Sequence, residues 1–353
     1  MNKKPLSKKY IVLSPLYSNA NIYIDILRET YQRLGFETIG YNEAFKKETY
    51  AKTEIFHFNW FENLIGVEYF TEFLKRLCLL FILKLVKGKR IIWTFHNRRP
   101  HNGQDFISAT LFRSLLYSSD IIIVHSKISK KILDSYRKGL SKKAVYVPHP
   151  NYIERYGPIK KIDLCEKKLK LLFFGMVKPY KNIELLLKVA SCFSKEDLEM
   201  TIMGKTQDNE YREKLEAHCP DNVNLELDFI ENDRLPDSFA KCDLVILPYD
   251  LRSSLNSGTV LLAFSYKKTV ICPDIGTILD IPKRDFVLNY TYTSHDDHFL
   301  KLREMIEKAL VMKMSDYKIF NRFGESMYKY VETFHSNEVF QKTLIQATLK
   351  SAH

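Results

Sequence analysis

The sequence predicts an α/β protein of two facing Rossmann-like domains, with an interdomain cleft and a helical C-terminal tail. Three observations lead there. From Tyr10 to Val147 short apolar runs alternate with amphipathic stretches, the strand and helix alternation of a doubly wound sheet. The alternation breaks at PHPNYIERYGPIKK, which holds three prolines and a glycine, and restarts at Lys170 with the same rhythm. Beyond Phe299 the pattern is helical nearly to the end. The expected organisation is a first domain over 1–155, a linker over 156–168 and a second domain over 169–315. Helices over 316–353 are expected to cross back to the first domain.

In chain order, Tyr10 to Ser14 is a strand, and the polar turn PLYSNAN leads to a helix from Ile22 to Leu34 that Gly35 stops. Phe36 to Tyr41 and Ile55 to Phe58 are the next strands, the latter running into Asn59, Trp60, Phe61 and Glu62. A helix over 68–86 carries Phe70, Phe73, Leu74, Leu77 and Phe81 on one stripe and further apolar residues around the cylinder. Its uncharged run from Leu77 to Leu83 is far short of the roughly 20 residues that span a bilayer. The helix is therefore expected either to be buried between sheet and helices or to lie in a membrane interface. Arg90 to Phe95 is a strand ending in His96 and reaching His101. A helix from Phe106 to Leu116, a strand from Ile121 to Val124 ending in His125, and a strand from Ala144 to Val147 complete the first half.

The second half opens with a strand at Lys170 to Phe174, a loop to Asn182 and a helix from Ile183 to Phe193. Strands at Leu198 to Met203 and Val223 to Asp228 alternate with helices near Glu210 to His218 and Leu235 to Ala240. Asp243 to Pro273 then reads as strand, polar loop, helix from Gly258, basic turn and strand, a right-handed βαβ unit whose loop faces the ligand end of the sheet. Where that helix begins, Asn256, Ser257, Gly258 and Thr259 combine a glycine, hydroxyl donors, unpaired N–H groups and the positive end of a helix dipole. Such a turn suits a diphosphate. The plainer reading makes Asn256 or Ser257 a helix cap.

The net charge of +12 is unevenly placed. Residues 1–155 hold 26 Lys and Arg against 13 Asp and Glu, and the remainder 28 against 29. The first half is thus expected to meet something anionic, such as an acidic membrane leaflet or a phosphorylated acceptor. No helix-turn-helix, zinc-ligand or RNA-binding signature accompanies the charge, so nucleic acid is not an expected partner. The six cysteines are scattered, without a CxxC pair, and are expected as reduced, buried thiols. No signal peptide is evident at the start, and a cytoplasmic protein, peripheral on the inner membrane face, is expected. Neither GxGxxG nor GxxxxGK[ST] occurs, which removes the fingerprint of a dehydrogenase or P-loop enzyme.

FFGMVKPYKNIELLL (173–187), MGK (203–205) and LPYD…SGTVLLAFSYKKTVI (247–271) together resemble the nucleotide-sugar-binding domain of GT-B fold glycosyltransferases related to family 4. In the first half FHFNWFE (56–62), WTFHNRRPH (93–101), IVHS (123–126) and VPHPNY (147–152) look like bacterial members that build capsular or exopolysaccharide repeat units. The resemblance implies a hexosyl- or glycuronosyltransferase that takes a sugar from a UDP- or GDP-linked donor. It places Lys181 against the donor diphosphate and puts Met176 where the family often has arginine. The family's usual pair of glutamates falls on Ser254 and Leu262, so an inverting outcome is favoured over a retaining one.

Such a transfer needs groups that stabilise a departing diphosphate and a base for the acceptor's proton. For the diphosphate the candidates are Lys181, Asn256, Ser257, Gly258 and Thr259, with Lys205 beside them. No DxD pair occurs, so donors and helix dipole are expected to work without a metal, and no cofactor is expected. For catalysis the leading candidate for the base is Glu62, in an aromatic loop that raises its pKa, and beside it stands His96, which resembles the family's active-site histidine that contacts the donor sugar. Trp60, His101 and Asp105 are candidates for acceptor or sugar contact. The partners expected are a nucleotide-sugar donor, a lipid-linked or oligosaccharide acceptor and an anionic membrane surface. A sugar-nucleotide epimerase and a non-catalytic nucleotide-sugar-binding protein at the membrane are the alternatives.

Overall fold

The computed structural model describes residues 9–18, 21–64, 69–86, 88–99, 106–162 and 167–348. The chain divides into two compact units, Met1–Pro150 with Asn337–His353, and Asn151–Ser336. Each is organised around a six-stranded, wholly parallel sheet. Strands buried on both faces read as continuous apolar runs, and Ile121, Ile122, Ile123 and Val124 are all buried accordingly.

In the first unit the order is β1 (Lys9–Ser14), α1 (Tyr23–Arg33), β2 (Phe36–Ile39), α2 (Tyr41–Ala44), α3 (Lys47–Tyr50), β3 (Thr53–Asn59) and α4 (Tyr69–Leu85). It continues through β4 (Arg90–Phe95), α5 (Phe106–Ser118), β5 (Ile121–Val124), α6 (Ile128–Tyr136) and β6 (Ala144–Tyr146). The strands lie in the order β2-β1-β3-β4-β5-β6. The chain steps outward from β1 to β2 and then returns to the other side of β1, so the direction of winding reverses between β1 and β3. That is where a parallel sheet opens a ligand crevice at its carboxyl end.

The second unit runs β7 (Leu169–Phe174), α7 (Ile183–Ala190), β8 (Leu198–Met203), α8 (Asn209–Glu216), β9 (Val223–Glu226), α9 (Leu235–Ala240), β10 (Leu244–Ile246) and α10 (Gly258–Ser265). Then come β11 (Thr269–Pro273), α11 (Gly276–Leu279), β12 (Leu288–Tyr290), α12 (His295–Ser315) and α13 (Ile319–Phe334). Its strand order, β12-β11-β10-β7-β8-β9, reverses between β7 and β10. A last helix, α14 (Asn337–Thr348), belongs with the first unit, where Phe340 lies 6.2 Å from Tyr23. Two strand ends are held very close: a Cβ on Gly204 would lie 1.9 Å from the Gly175 carbonyl oxygen, and both residues have φ of +143°. Only glycine fits there, and the contact fixes where the loops after β7 and β8 begin.

Several elements depart from the sequence reading. The strand expected at Ile55 to Phe58 extends over Thr53–Asn59. The four-residue helices α2, α3 and α11 and the three-residue β12 were not anticipated, because none is long enough to show a period, and the nine-residue α6 was also missed. Among the described residues the five thiols are free, but Cys78 and Cys192 are exposed, which corrects the expectation of burial; Cys165 lies outside the described residues. Helix α4 is neither wholly buried nor wholly free. Phe73, Leu79, Leu80 and Leu83 pack inward, while Phe70, Leu74, Cys78, Phe81, Ile82 and Leu85 are exposed. At about 100° per residue the exposed six fall on one stripe about 120° wide, with the exposed Lys75 and Lys84 along its two edges.

Candidate functional site

In the second unit the residues expected at a diphosphate converge on the crevice between β7 and β10. A short turn, Pro179–Lys181, follows the loop after β7 and raises Lys181 over the ring of Tyr249, 4.3 Å from its centroid. Tyr180 adds a second ring at 5.3 Å. Among the described residues no carboxylate pairs with this ammonium. Burial, helped by the charge of Lys178, lowers its pKa to about 8. A lysine poised over aromatic faces without a counter-ion is one that an incoming anion completes.

Tyr249 is also the hub for the opposite side. Its hydroxyl lies 2.8 Å from Ser257 Oγ, with the Thr259 side chain nearby. Ser257 caps α10, its Oγ accepting from the Val260 N–H at 3.2 Å, while its own N–H donates to Thr277 Oγ1 at 2.9 Å. Gly258 opens the helix and Thr259 follows, its Oγ1 4.0 Å from where a Cβ on Gly175 would stand. Lys181, Ser257, Gly258 and Thr259 thus form one group around Tyr249. Asn256 is half-buried directly before them. The Lys205 side chain is exposed one strand further out, and its carbonyl accepts from the Val177 N–H. The plainer reading of Ser257 as a cap also holds, and the two roles coexist in one side chain. Tyr292 steadies this loop by donating to the Tyr249 carbonyl at 3.0 Å and accepting from the Leu251 N–H at 2.9 Å. His298, stacked on Tyr292 at 3.8 Å, is buried and held to a pKa of about 4 by desolvation, which fits a structural imidazole.

The first unit carries a cluster of rings at its strand ends. Tyr23, at the start of α1, has ring centroids of His149 at 5.0 Å, His96 and His125 at 5.4 Å and Trp60 at 6.1 Å. Trp60 and His96 stack at 4.0 Å with planes 16° apart. His125 Nδ1 donates to the Val147 carbonyl at 2.8 Å, and its Nε2 lies 3.2 Å from the Tyr23 hydroxyl. These residues come from the ends of five different elements, so sequence order alone left Tyr23, His125 and His149 out of the site. Tyr249 was missed for another reason: an aromatic directly after an apolar strand reads as core. His57 is structural, bonded between Tyr31 and Thr94 and held near pKa 3 by full burial.

Glu62 stands apart from this cluster. It is 2% exposed, accepts from Trp93 Nε1 at 3.3 Å, and burial raises its pKa to about 7. Trp93 packs on Phe95 and on Phe112 of α5, whereas its strand neighbour Thr94 faces His57. Alternation along β4 therefore puts Glu62 and His96 on opposite faces of the sheet. His101 and Asp105 lie outside the described residues.

Residues 168–296, which include the group around Tyr249, match the family described as Glycosyl transferases group 1. Over 231 residues the chain is 25% identical to a GDP-mannose:glycolipid 4-beta-D-mannosyltransferase of Xanthomonas campestris, a match that takes in 63% of this chain and 62% of that protein. The alignable part is thus less than two thirds of the curated relative. Among solved structures, sucrose-phosphate synthase of Thermosynechococcus elongatus superposes with a TM-score of 0.72 at 13% identity, over 98% of this chain and all of the other. HepE of Anabaena, solved with UDP and glucose, does so at 0.68 and 12%, over 98% of this chain and 100% of that one. These likenesses show a GT-B-like fold, and with the family match they support a glycosyltransferase. They lend no support to an epimerase or to a non-catalytic binding protein.

Proposed function

We propose that this chain moves a sugar from a nucleotide-diphosphate donor to a lipid-linked saccharide, with inversion at the transferred carbon and without a metal ion. The observation that carries the reading is the group in the second unit: an ammonium without a carboxylate over Tyr249, with two hydroxyls and the first turn of α10 beside it. As the donor breaks, charge develops on the leaving diphosphate, and fixed donors aimed at it lower the barrier. Lys181, Ser257, Gly258 and Thr259 supply those donors, which is the work a cation does in other transferases.

The acceptor's proton needs a base, and the first unit offers two. Glu62 has a pKa suited to the task but is sealed beneath Trp93. His96 stands with the ring cluster at the strand ends, and we assign it the role. A lipid-linked acceptor fits the exposed stripe of α4 edged by lysines, which suits a helix lying in the surface of an anionic bilayer. No helix among the described residues is long and apolar enough to cross a membrane. The named activity of the Xanthomonas relative makes GDP-mannose the first donor to try, and the ligand of HepE makes UDP-glucose the second.

A thermal-shift screen of nucleotide sugars against the intact protein, followed by a transfer assay with the best stabiliser, tests the reading. Stabilisation by one nucleotide sugar and EDTA-resistant transfer to a glycolipid are the expected results. Flat melting curves across GDP-, UDP-, ADP- and dTDP-sugars would remove it.

A further inference from the structure

We propose that a cavity at the carboxyl end of α10, beside the amino end of β11, is a second anion site that binds a small phosphate monoester. The proposal goes beyond the transferase reading and does not depend on it.

The cavity, of about 230 Å³, opens within the second unit where the chain turns from α10 into β11. Four lysines line it: Lys160 and Lys161 from the segment that follows Gly157, and Lys267 and Lys268 from the turn itself. Residues 156–353 hold 28 Lys and Arg against 29 Asp and Glu, so this is a local concentration in a half whose charges balance. Two of the four have counter-ions. Lys160 Nζ lies 2.7 Å from Asp237 and Lys267 Nζ 2.9 Å from Glu325, both pairs partly open to water. Four ammonium groups against two carboxylates leave a surplus of two positive charges. That surplus matches the roughly −1.5 to −2 carried by a phosphate monoester at pH 7.

Lys268 carries the argument furthest. It is 8% exposed, its Nζ donates to the Cys242 carbonyl at 2.7 Å, and no carboxylate pairs with it among the described residues. An ammonium has three hydrogens to donate, and this one has a single acceptor among the described residues. A buried cation without a counter-ion is costly, and an anion entering the cavity relieves that cost.

The turn that presents the two lysines is built against local preference. Lys267 takes φ +57° at the position after a helix that glycine usually fills; its N–H donates to the Phe264 carbonyl at 3.1 Å, and the Lys268 N–H donates to the Ala263 carbonyl at 2.9 Å. A lysine in that conformation costs about 1–2 kcal/mol. Opposite it, Gly324 interrupts the interior of α13, where a Cβ would lie 1.8 Å from the Lys267 carbonyl oxygen. Two local penalties thus hold one turn in place at the cavity wall. The carboxyl end of α10 brings about half a negative charge to the same place, which the two lysines exceed.

The remaining walls set the size and character of the ligand. Ile159, Ile162 and Tyr266 supply apolar surface beside the cations. The volume falls below the roughly 300–1,000 Å³ that hold drug-sized ligands, so a nucleotide sugar is too large. A phosphate on a small carbon skeleton meets both the ammonium groups and the apolar wall. Eight residues of α10 at about 1.5 Å each put roughly 12 Å of helix between this turn and the group around Tyr249.

Calorimetric titration of the intact protein with glucose 1-phosphate, glycerol 3-phosphate and inorganic phosphate, in a phosphate-free buffer, tests the site. At least one of the two esters should bind saturably and at least threefold more tightly than inorganic phosphate. Lys268→Met keeps the aliphatic stem and removes the charge. Asn321→Asp, at an exposed position on the cavity wall, adds an anion without touching the interior. Each should weaken ester binding at least tenfold, whereas Lys181→Met should leave it unchanged. Loss of ester binding in Lys181→Met with retention in Lys268→Met puts the anion at the Tyr249 group and overturns the site. It is overturned equally by esters that bind no better than inorganic phosphate, by the absence of ester binding, or by unchanged affinity in both cavity variants.

Discussion

The ammonium of Lys181 lies 4.3 Å from the ring of Tyr249, and the hydroxyl of that tyrosine lies 2.8 Å from Ser257 Oγ. One buried residue therefore touches both sides of the proposed diphosphate site, through its face and through its hydroxyl. Ser257 Oγ already accepts from Val260 N–H. If it also accepts from Tyr249, both lone pairs are taken and its proton is directed away from the helix.

Donor binding should depend on pH through Lys181. Its pKa in the free protein is lowered to about 8, and the form that attracts a diphosphate is the ammonium. The sign follows: affinity is level well below pH 8 and weakens as pH rises through that value, by up to about tenfold per unit. Calorimetric titration with GDP and UDP across this range measures it. Lys181→Met should cost about 1.5–3 kcal/mol of binding and flatten the profile. Lys181→Arg should flatten it while keeping affinity, because a guanidinium does not titrate there. A wild-type profile that is level to about pH 10 would detach Lys181 from the site.

The two candidate bases separate by substitution. His96→Gln removes the lone pair at the ring cluster and should lower turnover by about 10² to 10⁴, with donor affinity kept. Glu62→Gln retains an oxygen for Trp93 Nε1 in the same buried place and should leave turnover within about threefold by the same scale. Steady-state rates and donor affinity of both variants decide it. A large loss in Glu62→Gln with a small one in His96→Gln would exchange their roles.

The fold was legible because parallel strands buried on both faces announce themselves as apolar runs, as Ile121 to Val124 does, and because proline and glycine mark the break between units. The adjacency of Lys181 and the Ser257 turn was legible too, since each lies in a loop that follows a strand of the second unit. What stayed hidden was adjacency. Tyr23, Asn59, His96, His125 and His149 become neighbours only through the order β2-β1-β3-β4-β5-β6, which no local pattern encodes. Glu62 illustrates the converse: its aromatic surroundings were read correctly as raising its pKa, but the face of the sheet it occupies depends on the alternation of Trp93 and Thr94 in a strand 31 residues away.

Binding to anionic vesicles should run through the outer stripe of α4. Phe81 and Leu85 are 65% and 66% exposed, so replacing either or both by glutamate removes little internal packing. Each change deletes apolar area that would enter the bilayer surface and adds a charge that anionic lipid repels, so co-sedimentation should fall by at least about tenfold per site. Thermal stability should not change, and activity on a short-chain water-soluble acceptor should persist. Undiminished co-sedimentation in the double variant would clear α4 of the role.

The firmest prediction about stability concerns Lys313 and Asp243. Both are buried, and Lys313 Nζ lies 2.5 Å from Asp243 Oδ2 and donates to the Lys168 carbonyl at 2.6 Å. The same carboxylate oxygen accepts from the Lys170 N–H at 2.7 Å. The pair thus ties α12 to the amino ends of β7 and β10, the two strands whose opposite ends lead to Lys181 and Tyr249. Desolvating two charges is expensive, so the pair as a whole need not stabilise the fold against a well-packed apolar replacement. Breaking it is another matter. Lys313→Met leaves an uncompensated carboxylate in the interior and should cost about 3–5 kcal/mol, which at roughly 2–4 °C per kcal/mol lowers the melting temperature by about 10 °C. Adding Asp243→Asn to that variant removes the stranded charge while keeping an oxygen for the Lys170 N–H, so the double variant should be more stable than Lys313→Met alone. Calorimetric melting of the three proteins tests this non-additivity directly, and simple additivity would show that the two side chains do not act as a unit.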